Sequence, residues 1–174
     1  NRLTDFDAVI ATGCDNSSRY FEYYFGKYPH IIRKNRNSVA IVSGQESDEA
    51  YRRLADDIFL FYGLGCRNVS KIYLHKKIKM ADIIPHFEHY SFIRNHHKYA
   101  NNYEYRKAIY LMNKKTHLDN GFAIFKEDTG ISSPIGVLYY QYFDEIGQVE
   151  NELISRKNAI QCVASQKSLH QMCM

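Results

Sequence analysis

Cys66 lies in the run Tyr62-Gly63-Leu64-Gly65-Cys66-Arg67-Asn68-Val69-Ser70. A helix that closes on glycine, a tight turn and a following strand present this thiol on a short connection. Glycine on its flank lets a substrate approach both sulfur and backbone. The N–H of Cys66 can donate to an oxyanion developing on a thioester or hemithioacetal. The thiolate is the reactive form of cysteine, and Arg67 and Lys71 are nearby cations that favour it. The C-terminal end of the preceding helix works against them. On residue types alone, a structural cysteine is the other reading of this position.

A second segment, Ala11-Thr12-Gly13-Cys14-Asp15-Asn16-Ser17-Ser18-Arg19, turns from a strand into a helix N-terminus. Such a turn can hold a phosphate or another anionic ligand edge, with Gly13, Cys14 and Asn16 at the contact. A capped surface helix explains the same residues. The basic run Arg33-Lys34-Asn35-Arg36-Asn37 reads as a phosphate-binding stretch or a solvated loop. His86 and His89 stand one helical turn apart, with His96 and His97 further on, but no zinc-type ligand spacing accompanies them. A polar helix face is expected there, and no metal. Cys14, Cys66, Cys162 and Cys173 form no CxxC pair, which argues against a zinc site or a disulfide framework. A reducing, cytoplasmic setting follows. The start of the chain shows no secretory pattern. The N-x-S triplets at Asn16 and Asn68 are read as chance.

The elements that must position these residues alternate. Residues 6–12 read as a buried strand, and a helix follows with Tyr20, Phe21, Tyr24 and Phe25 at helical spacing until Gly26. Ser38–Val42 is a second apolar strand. The spacing of Tyr51, Leu54, Ala55, Ile58, Phe61 and Tyr62 predicts a helix from Ser47 to Tyr62. Val69–Leu74 is strand-like, and residues 80–115 read as two helical pieces. Strands are expected near Phe122–Phe125, over Ile135–Phe143 and over Ala159–Ala164, with a helix over Ile146–Ile154. Alternation of this kind predicts an α/β fold with a mostly parallel open sheet flanked by helices.

The chain has 174 residues, 45% hydrophobic and 24% charged, enough for a real core. Its 15 tyrosines suit half-buried faces with a polar tip in water. The net charge of +4 is too mild for the dense basic stripe of a nucleic-acid binder, and fits a site for a small polyanion. No apolar run is long enough to span a bilayer. The chain starts at Asn1 and stops at Met174, and is expected to be a fragment of a longer protein.

The order of these segments resembles the aldehyde dehydrogenase superfamily. Phe6–Gly13 with Asn16 and Arg19 is similar to its strand ending in a Thr-Gly-Ser turn, with Cys14 in place of the serine. Gly63–Cys66 falls where that family keeps its nucleophile loop, and Asp119-Asn120-Gly121-Phe122 resembles a later turn. Within the superfamily, the runs TGCDNSSRYFEYYFGKYPHIIRKNRNSVAIVSG and DIFLFYGLGCRNVSKIYL resemble LuxC-type acyl-CoA reductases. The resemblance implies residues 1–26 as a remnant of a dinucleotide-binding domain and 27–174 as the catalytic thiol domain. It implies Cys66 as the acyl-carrying nucleophile, NADPH as cofactor touching Gly13, Cys14 and Asn16, and an acyl-CoA or acyl-protein thioester as substrate. A homo-oligomer is expected of the full-length protein. Where the family carries a Glu-Leu-Gly-Gly motif, this chain reads Arg33-Lys34-Asn35-Arg36-Asn37, without the glutamate that activates a hydrolytic water. Ser132 and Ser133 fall near the place of the family's ribose-binding glutamate. An aldehyde dehydrogenase acting on free aldehydes, and a non-catalytic basic binding module, are the alternatives.

Overall fold

The computed structural model describes residues 6–13, 15–34 and 37–166. The chain forms two compact units that divide between Arg36 and Asn37. The position expected for a domain boundary, after residue 26, falls inside the first unit, between its helix and the strand that follows.

That first unit is a β-α-β turn: β1 (Val9–Gly13), α1 (Asp15–Phe25) and β2 (His30–Lys34). The two strands run parallel, in register from Val9 opposite His30 to Gly13 opposite Lys34. The sequence reading of a basic loop over 33–37 missed β2, whose paired isoleucines are flanked by His30, Arg33 and Lys34. A Cβ on Gly13 would stand 2.8 Å from the Ser17 Cβ, so glycine there lets the first turn of α1 close onto β1. Ile10 and Ile31, partners across the strands, are 77% and 54% exposed. Tyr20, Tyr23 and Tyr24 on α1 are exposed as well.

The second unit holds one six-stranded sheet. In chain order it comprises β3 (Asn37–Val42), α2 (Asp48–Phe59), β4 (Val69–His75), α3 (Met80–Ile83), a 3₁₀ segment (Ile84–Asn95), α4 (His97–Met112), β5 (Leu118–Asp119), β6 (Ile124–Glu127), β7 (Val137–Phe143), α5 (Ile146–Ser155) and β8 (Ile160–Ser165). The spatial order is β5-β6-β7-β4-β3-β8. Every pairing is parallel except β5 with β6. This is the α/β architecture, with a mostly parallel sheet flanked by helices, that the alternation of segments predicts. The piece after α3 is 3₁₀ rather than α, and Pro85 in its first turn removes a backbone donor there.

Side chains alternate across the sheet. Ala40, Val42, Ile72 and Leu74 face the larger core, under α2, α3, the 3₁₀ segment and α4. Val39, Ile41 and Tyr73 face the smaller one, with Val149 and Leu153 of α5. Phe87, Phe122, Phe125 and Ile72 are at most 1% exposed. Each such side chain contributes roughly 1.5–3 kcal/mol by burial. Ser47 caps α2 by accepting from the Ala50 N–H, and Asp48 and Glu49 follow in its first turn. No described helix is long and apolar enough to cross a membrane.

Candidate active-site loop

The helix leading to Cys66 ends earlier than its apolar stripe suggests. It stops at Phe59, and the chain then runs through Phe61 (φ 53, ψ 30), Tyr62 (φ 59, ψ 25) and Gly63 (φ 71). Glycine takes this left-handed conformation freely, whereas each L residue in it costs about 1–2 kcal/mol. Tyr62 gains packing in return: its ring stacks on His96 at 4.1 Å between centroids and leans on Tyr99 at 6.3 Å. His96 is itself fixed as the N-cap of α4.

Asn68 holds the rest of the loop. Its Oδ1 accepts from the Gly65 N–H at 2.8 Å. Its Nδ2 donates to the carbonyls of Asp57 at 3.0 Å and Leu60 at 2.8 Å, with a longer contact to Ile58 at 3.4 Å. These are carbonyls that the end of α2 leaves open, so one amide closes the helix and anchors the turn. The glycine expected to admit substrate has another reason: a Cβ on Gly65 would meet Asn68 Oδ1 at 2.7 Å. On the other side, the Ser38 hydroxyl donates to the Cys66 carbonyl at 3.0 Å. Cys66 is exposed and unbridged. Its own N–H has no acceptor among the described residues. The loop therefore presents a thiol and a free backbone donor side by side, at the amino ends of β3 and β4.

Lys71 does not serve the thiol. Its side chain is fully buried, with Nζ donating to Thr129 O at 3.0 Å and Gln141 Oε1 at 2.6 Å. Glu152 Oε1 lies 3.9 Å away and the Tyr73 ring centroid 4.7 Å away. Burial pushes the ammonium's pKa down, against the pull of Glu152. Arg156 Nη1 also donates to Thr129 O, at 3.2 Å. Next to Lys71, the Ser70 hydroxyl donates to Ile131 O at 2.7 Å. Carbonyls of the segment before Ser132 and Ser133 are thus held by side chains of β4. A narrow cleft lies beside it, lined by Tyr62, Gly63, Ser70, Tyr99, Ser133 and Gly136 among others.

Gly13 and Asn16 belong to the first unit and Cys66 to the second. Asn16 is exposed in the first turn of α1. Cys14 lies outside the described residues. His86 and His89 stand 3.9 Å from Asp48 and Asp56 respectively, as side-chain pairs with α2. Asn68, Ser38 and Ser70 escaped the sequence reading. The spacing Gly65-x-x-Asn68 is a usable signal for the first, since an Asn side chain often accepts from a nearby backbone N–H in a turn. Nothing local marks the two serines.

No family profile matches the chain, and no curated protein matches it. Solved structures do. An aldehyde dehydrogenase 21 from Physcomitrella patens, in complex with the reaction product succinate, superposes with a TM-score of 0.67 at 13% identity, over 94% of this chain and 44% of that one. An indole-3-acetaldehyde dehydrogenase of P. syringae, with NAD+ and IAA, gives 0.65 at 11% over 91% and 44%. A 3,6-anhydro-L-galactose dehydrogenase in complex with NAP gives 0.65 at 11% over 95% and 48%. The chain has the aldehyde-dehydrogenase-like α/β fold. It spans less than half the length of these enzymes.

Proposed function

We propose that this chain is the thiol-bearing part of an NAD(P)-dependent oxidoreductase, and that it works as an acyl-CoA reductase of the LuxC type, forming an acyl-enzyme on Cys66. The observation that carries the reading is the Cys66 loop: an exposed thiol whose flanking backbone is held by Asn68 and Ser38, with the Cys66 N–H lacking an acceptor among the described residues. In this reading the sulfur adds to the carbonyl carbon of an acyl thioester, the Cys66 N–H donates a hydrogen bond to the developing oxyanion, and the CoA thiol departs. The adduct on Cys66 then collapses to aldehyde and free thiol once the acyl carbon is reduced.

NADPH, when bound, supplies the hydride. Gly13 and Asn16 suit a cofactor edge, being at the mouth of a strand-to-helix turn. The glycine itself answers to α1 packing, so these residues offer a contact rather than a complete cradle. A pair of five-residue strands exposing Ile10 and Ile31 cannot bury a core of its own, which supports the first unit as part of a larger dinucleotide-binding domain. Oxidation of a free aldehyde is the second reading, favoured by the three solved relatives, whose names are those of dehydrogenases. It needs a base to activate water for deacylation, and Arg33-Lys34-Asn35-Arg36-Asn37 offers no glutamate for that work.

Incubation of the full-length enzyme with a long-chain acyl-CoA, without NADPH, tests the reading. Intact-mass and peptide mapping should place the acyl group on Cys66. Cys66→Ser should lose both the adduct and reductase activity. An acyl group on Cys14, or normal turnover by Cys66→Ser, refutes it.

A further inference from the structure

We propose that Ser38, together with Ser70, is a positioning residue that fixes the backbone of Cys66 for acyl transfer; the inference rests on Cys66 being the acylated thiol. Ser38 is 1% exposed, and its hydroxyl donates across 28 residues of chain to the Cys66 carbonyl. It opens β3, at the amino edge of the sheet.

A second observation concerns the strands. The register of β3 against β4 passes from Ser38 opposite Val69 to Val39 opposite Lys71, leaving Ser70 as an extra residue. Against β8 it passes from Asn37 opposite Ile160 to Val39 opposite Val163. The ladder is thus irregular on both sides of Ser38. Such a bulge turns side chains out of the ordinary alternation and is frequent beside active sites. Here it brings the Ser70 hydroxyl to Ser38 O at 3.3 Å and Ile131 O at 2.7 Å. Three segments are joined through two hydroxyls: the Cys66 turn, the start of β3, and the loop that carries Ser132 and Ser133.

The geometry explains why this matters for one reaction and not another. With the Gly65 N–H held by Asn68 and the Cys66 carbonyl held by Ser38, the backbone on both sides of Cys66 is fixed. That sets the direction of the Cα–Cβ bond and of the Cys66 N–H together. Acyl transfer needs both. The sulfur forms a bond to the carbonyl carbon, and the carbonyl electron pair moves onto oxygen, facing the N–H. The pair then returns as the bond to the leaving thiol breaks, and that thiol takes up the proton that Cys66 gave up. Alkylation by iodoacetamide displaces iodide and needs only an exposed sulfur.

The test measures both rates in the full-length enzyme without NADPH, with a short acyl thioester of N-acetylcysteamine and with iodoacetamide, and maps the products by mass spectrometry. Cys162, also exposed, is the internal control. Ser38→Ala should slow acylation of Cys66 by about tenfold or more, as small misplacements of a reacting group do. Its alkylation of Cys66 and Cys162 should stay within about twofold. Ser38→Thr should restore acylation. Should Ser38→Ala fail to fold, Ser38→Thr and Ser38→Val form a pair of like shape with and without the hydroxyl, and the same ratio is read between them. If the wild-type chain takes no acyl group at Cys66, the nucleophile reading falls, and this inference with it. If the wild type is acylated and the hydroxyl-free variants match it, or lose both reactions in parallel, the positioning role alone is overturned.

Discussion

Removing the Asn68 side chain should uncouple the Cys66 loop from the helix that delivers it. Asn68 is 9% exposed and makes three short hydrogen bonds: one accepted from Gly65 N at 2.8 Å, and two donated, to Leu60 O at 2.8 Å and Asp57 O at 3.0 Å. At about 1 kcal/mol net for each, their loss comes to roughly 3 kcal/mol. The exposed rim of the loop lets water reach some of the freed groups, so Asn68→Ala should cost about 2–3 kcal/mol. Asn68→Asp is the sharper probe. It keeps an acceptor for Gly65 N but sets a carboxylate oxygen against two carbonyls that had a donor. Above neutral pH it should be at least as damaging as alanine. Its carboxyl would be held protonated more readily in the folded state than in the unfolded one, so its penalty should shrink as pH falls toward the unfolded value of about 4. Urea unfolding followed by circular dichroism, at pH 7.5 and pH 4.5, reads all of this. An Asn68→Ala midpoint equal to wild type, or an aspartate variant milder than alanine at pH 7.5, would refute the role assigned to this amide.

Two further outcomes follow from close packing and from buried hydroxyls. Gly136 (φ 79) has the Tyr103 Cα at 2.9 Å and Cβ at 3.0 Å from where its own Cβ would be, while Gly121 (φ 89) has nothing within 4 Å. Gly136→Ala should therefore cost about 2–4 kcal/mol and Gly121→Ala only about 1, and equal thermal shifts would contradict the packing described. Burial, and then neighbouring groups, push the hydroxyls of Tyr90, Tyr103 and Tyr139 up to about 12; Asp56 adds to the first, Asp119 to the second and Tyr110 to the third. A raised folded-state pKa gives stability that is complete below the unfolded value, about 10, and is lost as pH climbs through the folded one. The urea midpoint should drop between pH 10 and pH 12, less steeply in Tyr90→Phe and Tyr103→Phe. A flat profile over that range would contradict it.

What the sequence discloses here depends on distance along the chain. β3, β4, β7 and β8 announce themselves as apolar runs, and the stripe Tyr51, Leu54, Ala55, Ile58 marks α2, because each signal lies within one element. β2 hides because Ile31 and Ile32 are surrounded by charged residues and its partner is a strand of only five residues. The end of α2 departs from its apolar spacing for a different reason. Phe61 and Tyr62 continue the helical spacing, but Asn68 reaches back to the Asp57 and Leu60 carbonyls and stops the helix first. The exposed turn at Cys66 is legible from Gly63 and Gly65 just before it. Ser38 was not, since its link to Cys66 spans 28 residues and depends on a break in strand register.

The left-handed run before Cys66 bears on why the loop is built this way. Two L residues in that conformation cost about 2–4 kcal/mol together. Tyr62 recovers part of its share against His96 and Tyr99. Phe61 is 72% exposed and recovers little by burial. Glycine at position 61 would adopt the same backbone without the steric cost. Stability alone therefore does not account for a phenylalanine there. The run does achieve a sharp reversal between the end of α2 and the Gly65–Asn68 turn, and that reversal is what brings the Cys66 carbonyl to Ser38 and leaves the Cys66 N–H without an acceptor among the described residues. Local strain of this kind persists where the surrounding contacts over-determine the backbone, and it gathers at sites where a reactive group must be held in one orientation. Here the over-determining contacts are an asparagine that grips α2, an aromatic stack, and a serine at the irregular start of β3. All three converge on a single exposed thiol.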